Sequence, residues 1–226
     1  RERERERVCV CVCVLSQSAG GYRYGWLWAG YAALNVHGWA RSAVFHARDT
    51  KWTERWDYFG GNLIISYGLY AALVRAGTDG RRPSRDAVAA FVLACPIAFA
   101  LREHYMFMNF VLFDYGWNMK LSIGVGIAQA LLWVGWTLRT RHPGRWILLA
   151  TVVLTNAITL FEVLDFAPLA GLLDAHALWH AVTPPLVYLW YCGFVFADVD
   201  VCAAEEERRE RRRLKAKSRQ SATKAD

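Results

Sequence analysis

From about Tyr22 to Ala197 the chain gathers its charges into short clusters, separated by apolar runs of roughly 20 residues. A soluble domain interleaves apolar and polar residues at helical or strand period. These runs are too long for that, so the solvent they are built for is the bilayer. Six segments qualify as spans: about Tyr24–Phe45, Tyr58–Val74, Ala87–Phe107, Trp117–Leu138, Trp146–Leu164 and Leu172–Ala197. Each approaches the ~20 residues that a helix rising ~1.5 Å per residue needs to cross ~30 Å of hydrocarbon. Long continuous runs favour helices over the short alternating segments of a barrel. The expected fold class is all-α, a polytopic transmembrane helix bundle with six spans.

The flanks read differently. Residues 1–7 alternate Arg and Glu, and residues 8–14 alternate Val and Cys. Two successive dipeptide repeats are what translated dinucleotide repeats look like, and no cleavable apolar leader is present. Residues 1–20 are therefore set apart as a low-complexity leader, a gene-model artefact or fragment edge. Residues 21–200 form the bundle, and residues 201–226 a basic tail expected to lack structure. The net charge of +7 comes mostly from that tail and two short loops. Such clusters set topology and meet anionic headgroups, so nucleic acid is not an expected partner and membrane lipid is. The six cysteines form no CxxC or zinc spacing, and Cys95 and Cys192 read as small apolar fillers.

Basic residues orient the bundle. Arg75, Arg81, Arg82 and Arg85 follow the second span, Arg139, Arg141 and Arg145 the fourth, and the basic tail the sixth. In the first loop Arg48, Lys51 and Arg55 are balanced by Asp49, Glu54 and Asp57, and the loops near Asp114 and Asp165 carry almost no Lys or Arg. The C-terminus is thus expected in the cytosol, with loops 46–57, 108–116 and 165–174 on the lumenal side. Pro184 and Pro185 inside the last span predict a kink.

This orientation brings five chemistry-bearing residues to one surface. His176 and His180 lie four apart at the lumenal end of the last span, which stacks two imidazoles on one helix face, a spacing suited to a shared metal ion. Ser42 and His46 are four apart at the lumenal end of the first span, and Asp57 stands where the second begins. Taken singly, Ser42 also reads as a packing hydroxyl and Asp57 as a helix cap. Ionisable groups so near the hydrocarbon are costly, which favours a functional cluster. Glu162 and Asp165 either orient an imidazole N–H or end a helix, and Asp174 suits an N-cap. His37, His104 and His142 lack a partner at helical spacing and read as structural.

The strings VFHARDTKWTERWDYF, LFDYGWN and FEVLDFAPLAGLLDAHALWH resemble the Per1-like family, the post-GPI attachment to proteins factor 3 proteins. The likeness runs from about Tyr31 to Trp190. The wider superfamily includes alkaline ceramidases and shares a serine, an aspartate and three histidines, which fall on Ser42, Asp57, His46, His176 and His180. The resemblance implies seven transmembrane helices, a lumenal site, Golgi or endoplasmic reticulum residence, and hydrolysis of the sn-2 acyl ester of GPI-anchor lipid. On this reading His46, His176 and His180 hold zinc, and Ser42 and Asp57 are catalytic. The chain departs from the family in showing six spans, without the family's signal peptide, cysteine-bearing segment and first helix. NVHGWARS, residues 35–42, also looks like a two-residue insertion that sets Arg41 beside the serine. A ceramide amidase and a non-catalytic factor for transport of GPI-anchored proteins are the alternatives. A transporter is disfavoured because no inverted repeat is visible.

Overall fold

A computed structural model of the chain describes residues 22–78, 83–164, 166–168, 171 and 174–223. Among these the regular structure is helical. The elements are α1 (Gly25–Ala47), α2 (Lys51–Gly77), α3 (Pro83–Phe110), α4 (Tyr115–Arg139), α5 (Arg145–Leu164), α6 (Ala175–Leu189), a π-helical stretch (Trp190–Val195) and α7 (Phe196–Thr223). The last three run on without a break. Helix α2 packs against α1, α3 and α4, while α5 joins α4 to α6 and the π-helical stretch.

The described rods coincide with the six expected segments. Among the described residues, three helices are long and apolar enough to cross a membrane: Ser84–Phe110, Tyr115–Arg139 and the rod Ala175–Ser218. Only 6% of the apolar window in Ser84–Phe110 is buried, so this helix presents Val88, Phe91, Val92 and Phe99 outward, as a lipid-facing helix must. The α1 and α2 rods turn polar residues inward: Asn35 and Ser42 from α1, Thr53 and Asn62 from α2. Helix α5 is short, with a described apolar run of Arg145–Phe161.

Two boundaries differ from the sequence reading. Helix α2 begins at Lys51, not near Tyr58, because Thr50 caps it. The Thr50 hydroxyl accepts from the Thr53 N–H (3.2 Å), and the Thr50 N–H donates to the Thr53 hydroxyl (3.0 Å). Asp57 is therefore inside the helix and is not its cap. At the other end, residues 201–223, expected to lack structure, continue α7. Ala, Glu, Arg and Lys are good helix formers, and Glu205–Arg209 (3.9 Å) and Glu207–Arg211 (2.6 Å) pair at i, i+4. The repeats of residues 1–20 lie outside the described residues, as do Arg81, Arg82 and Asp165.

Three packing devices hold the bundle. The first is aromatic: Trp28, Trp133, Trp190 and Phe194 meet edge to face at centroid distances of 5.3–6.0 Å, joining α1, α4 and the π-helical stretch. The second is polar. Asn62 Nδ2 donates to Asn118 Oδ1 (2.6 Å) and lies 3.0 Å from His104 Nε2, while Ser122 donates to Asn62 Oδ1 (2.9 Å). This network ties α2, α3 and α4, and it gives His104 the structural place expected of it. The third is a glycine contact between α1 and α2. A Cβ on Gly60 would lie 3.4 Å from Gly38 Cα and 3.3 Å from Arg41 Cδ, so the two backbones pass as closely as side chains allow.

At the arginine-rich end a buried carboxylate ties four segments. Asp198 is fully buried. It accepts from Arg75 Nε (2.9 Å) and Nη2 (2.5 Å) and from the Tyr22 hydroxyl (2.5 Å). The Gly144 N–H donates to His142 Nδ1 (3.0 Å), which leaves the proton on Nε2, 3.4 Å from Asp198. Burial pushes the Asp198 carboxyl up, but the bonds from His142, Arg75 and Tyr22 outweigh it and hold the group well below the usual carboxylate range. Burial and the same carboxylate push the Tyr22 phenol well up, and the Cys202 thiol rises to about 11.

Because Asp198 is depressed in the folded state, its stabilisation is full above the ordinary carboxylate value of ~3.9 and is lost as pH falls below it. Asp198→Asn leaves Arg75 buried without its counter-ion and lowers stability by ~3–5 kcal/mol at neutral pH. It also removes that part of the acid sensitivity. Thermal unfolding of the detergent-solubilised chain at neutral and acidic pH measures both. Gly60→Leu forces α1 and α2 apart and costs about 1–3 kcal/mol in the same assay.

Candidate metal centre

Ser42 and His46 sit on successive turns of one face of α1, and His176 and His180 on successive turns of α6. Helix α6 starts where it does because the Asp174 carboxylate accepts the Ala177 N–H (2.7 Å), the N-cap expected from sequence. The two faces meet. His46 Nε2 lies 3.2 Å from His180 Nε2 and 3.3 Å from His176 Nε2, and the latter two are 2.9 Å apart. Among the described residues these three form a group whose ligand atoms are close enough to share one metal ion.

Hydrogen bonding alone does not satisfy this triangle. A neutral imidazole nitrogen is either donor or acceptor. With three mutually close Nε2 atoms, at least one pair must be alike, proton against proton or lone pair against lone pair. A central cation turns all three into ligands. Tetrahedral coordination at ~2.0–2.1 Å separates nitrogens by roughly 3.3 Å, close to the observed spacing, and an all-imidazole donor set suits zinc. The residues present therefore fit the metal.

Asp57, in the second turn of α2, stands beside the triangle. It shares a hydrogen bond with the Ser42 hydroxyl and interacts electrostatically with His46 and His176. The glycine contact explains the register: Gly38 is one turn below Ser42 on α1, and Gly60 one turn beyond Asp57 on α2. Ser42 is buried and Asp57 half-buried, whereas His46 and His176 are exposed. The Ser42–Asp57 pair thus lies behind an open set of imidazoles. The structure brings all five sequence-predicted residues together.

Other residues at the site escaped the sequence reading. Trp39 meets His180 edge-on at 5.4 Å and stacks with Trp179 at 6.2 Å, and Trp179 stacks on His176 at 6.2 Å. The indoles wall two of the ligands. Their signal was present, since Trp39 is two turns before His46 on the same face and Trp179 is three residues after His176, but tryptophans at span ends read first as an interfacial belt. Arg41 lies over the Trp56 ring at 5.6 Å, and its buried Nε has no hydrogen-bond partner among the described residues. His37 is exposed and takes no part in the ligand triangle. The Glu162 side chain and Asp165 lie outside what is described.

Comparison with known proteins gives the family. The family model of the Per1-like family matches residues 8–199, a span that takes in the Val-Cys repeat. The chain is 38% identical to a Danio rerio protein named GPI-specific phospholipase A2-like PGAP3, over 71% of this chain and 50% of the relative. It is 35% identical to the protein PER1 homolog of Schizosaccharomyces pombe, over 73% of this chain and 50% of the relative. The Homo sapiens PGAP3 protein is 34% identical, over 71% and 49%. The chain spans about half the length of these relatives, and no solved structure matches it. With most of its length matched by that one family model, the chain belongs to the Per1-like family.

Proposed function

We propose that this chain is a membrane hydrolase of GPI-anchor lipid, cleaving the sn-2 acyl ester at the lumenal membrane surface of the Golgi or endoplasmic reticulum. The observation that carries the reading is the convergence of three imidazole nitrogens within 3.3 Å beside a serine–aspartate pair. The names of the relatives supply the lipid class.

His46, His176 and His180 would hold zinc, which when bound supplies Lewis-acid polarisation and acidifies a water. Asp57 is placed to accept that water's proton. Ser42 has one hydroxyl proton, and in the resting arrangement it points to the Asp57 carboxylate. Once Asp57 is protonated it becomes the donor in that pair, and the Ser42 O–H is released to turn toward the carbonyl oxygen as negative charge develops there. Ser42 is thus an oxyanion donor and not the nucleophile, because all three nearby histidines serve as ligands and none is free as its base. Trp39 and Trp179 keep the imidazoles from rotating out of the site. A ceramide amidase would use the same residues on an amide, so the substrate has to be tested directly.

In the purified chain, His180→Ala is expected to lose both bound metal and acyl release from GPI lipid, with metal content and lipid mass spectrometry as the two readouts. Asp57→Asn and Ser42→Ala keep the metal but slow release by about 10²-fold or more. Full release by Asp57→Asn overturns the role given to Asp57, whereas no release by the unmutated, metal-loaded chain leaves the transport-factor reading. Ceramide turnover in place of GPI-lipid turnover moves the substrate to the amide class.

A further inference from the structure

At the end of the bundle opposite the histidines, a cavity of about 410 Å³ opens between the start of α1, the end of α2, the α4–α5 turn and α7. Arg23, Arg75, Arg141 and Arg209 line it, together with His142 and Glu205. Among the described residues, Glu205 lies 3.0 Å from Arg23 and 3.9 Å from Arg209, and Asp198 is buried behind Arg75. Arg141 is exposed and has no hydrogen bond or ion pair among the described residues.

Arg75 is the fixed element of this wall. Asp198 holds its Nε and Nη2, leaving Nη1 uncommitted to that carboxylate. Tyr24 and Trp136 hold its plane, with the guanidinium carbon 4.8 and 5.2 Å from their ring centres. A guanidinium immobilised in this way offers its remaining N–H groups without further ordering cost. The volume falls in the ~300–1,000 Å³ range of small-molecule sites, enough for a phosphate with a sugar ring attached. Arginine forks match phosphate oxygens in pairs.

We propose that this cavity binds a phosphate monoester, carried either on a lipid headgroup or on a soluble sugar phosphate. The proposal does not depend on the hydrolase reading, since none of these residues belongs to the metal centre.

The test uses the full chain in phosphatidylcholine nanodiscs. One arm adds phosphatidylinositol 4-phosphate to the discs, and the other adds soluble inositol 1,4-bisphosphate to plain discs. Saturable binding is read by titration and by a rise in Tm. Arg141→Gln, which breaks no contact of the fold, is expected to weaken binding about tenfold. Arg139→Gln removes the same charge from the same region but does not line the cavity, and it leaves binding unchanged. A response to the lipid alone assigns a headgroup, and a response to the soluble ester as well assigns the phosphate itself. No saturable binding in either arm overturns the proposal. Equal losses in the two variants overturn it too, because they reveal diffuse attraction to a basic surface.

Discussion

Hydrocarbon offers no hydrogen bonds, and this constraint organises the molecule. Every polar side chain carried into the bundle must find a partner on another helix or stay at a membrane surface. The chain meets the demand in three places. The Asn62, His104, Asn118 and Ser122 network joins α2 to α3 and α4. Asp198 gathers Arg75, Tyr22 and His142 at one end. At the other end the three histidines converge on one another in a way that neutral imidazoles alone do not satisfy. The first two clusters join their segments through contacts made within the protein and act as fasteners. The third needs something added, and that sets it apart as a site of chemistry.

Helix α2 connects these places. Its first turns carry Asp57, its middle Asn62, and its last turn Arg75. The close passage of Gly38 and Gly60 fixes its height against α1, and with it the meeting of Asp57 and Ser42. Because α2 is held by α1, α3 and α4, the aspartate is delivered by the best-braced element of the fold. The ligands come from α1 and α6, whose facing ends are open. Asp57 is thus held rigidly beside an accessible set of imidazoles.

Much of this was legible in the sequence, for identifiable reasons. Apolar run lengths fixed the rods, and the arginine count alone grouped Ser42, His46, Asp57, His176 and His180 at one end before any relative was considered. Helical spacing made His176 and His180 a pair, and Asp174 announced the helix that carries them. The start of α2 was misread because Lys51, Glu54 and Arg55 look like loop residues, whereas Thr50 and Thr53 cap a helix that surfaces from the membrane before it ends. The tail is helical although a run of like charges suggests a solvated coil, because Glu–Arg pairs at helical spacing support it. The Gly38–Gly60 contact and the Asp198 cluster had no readable signal. Each depends on which helix faces which, and one-dimensional patterns do not record that.

The last rod carries both a metal-ligand pair and the carboxylate of the opposite end. Pro184 and Pro185 have no N–H, so the carbonyls of His180 and Ala181 lose their helical donors. Beyond them the π-helical stretch is locked by buried Trp190, Tyr191 and Phe194. Stiffness along the rod is therefore uneven: clamped at Asp198, braced through the aromatics, compliant just below His180. A compliant joint there lets the imidazole shift by small amounts while the rest of the rod stays still. His180 can then adjust its position without straining the bundle that supports it.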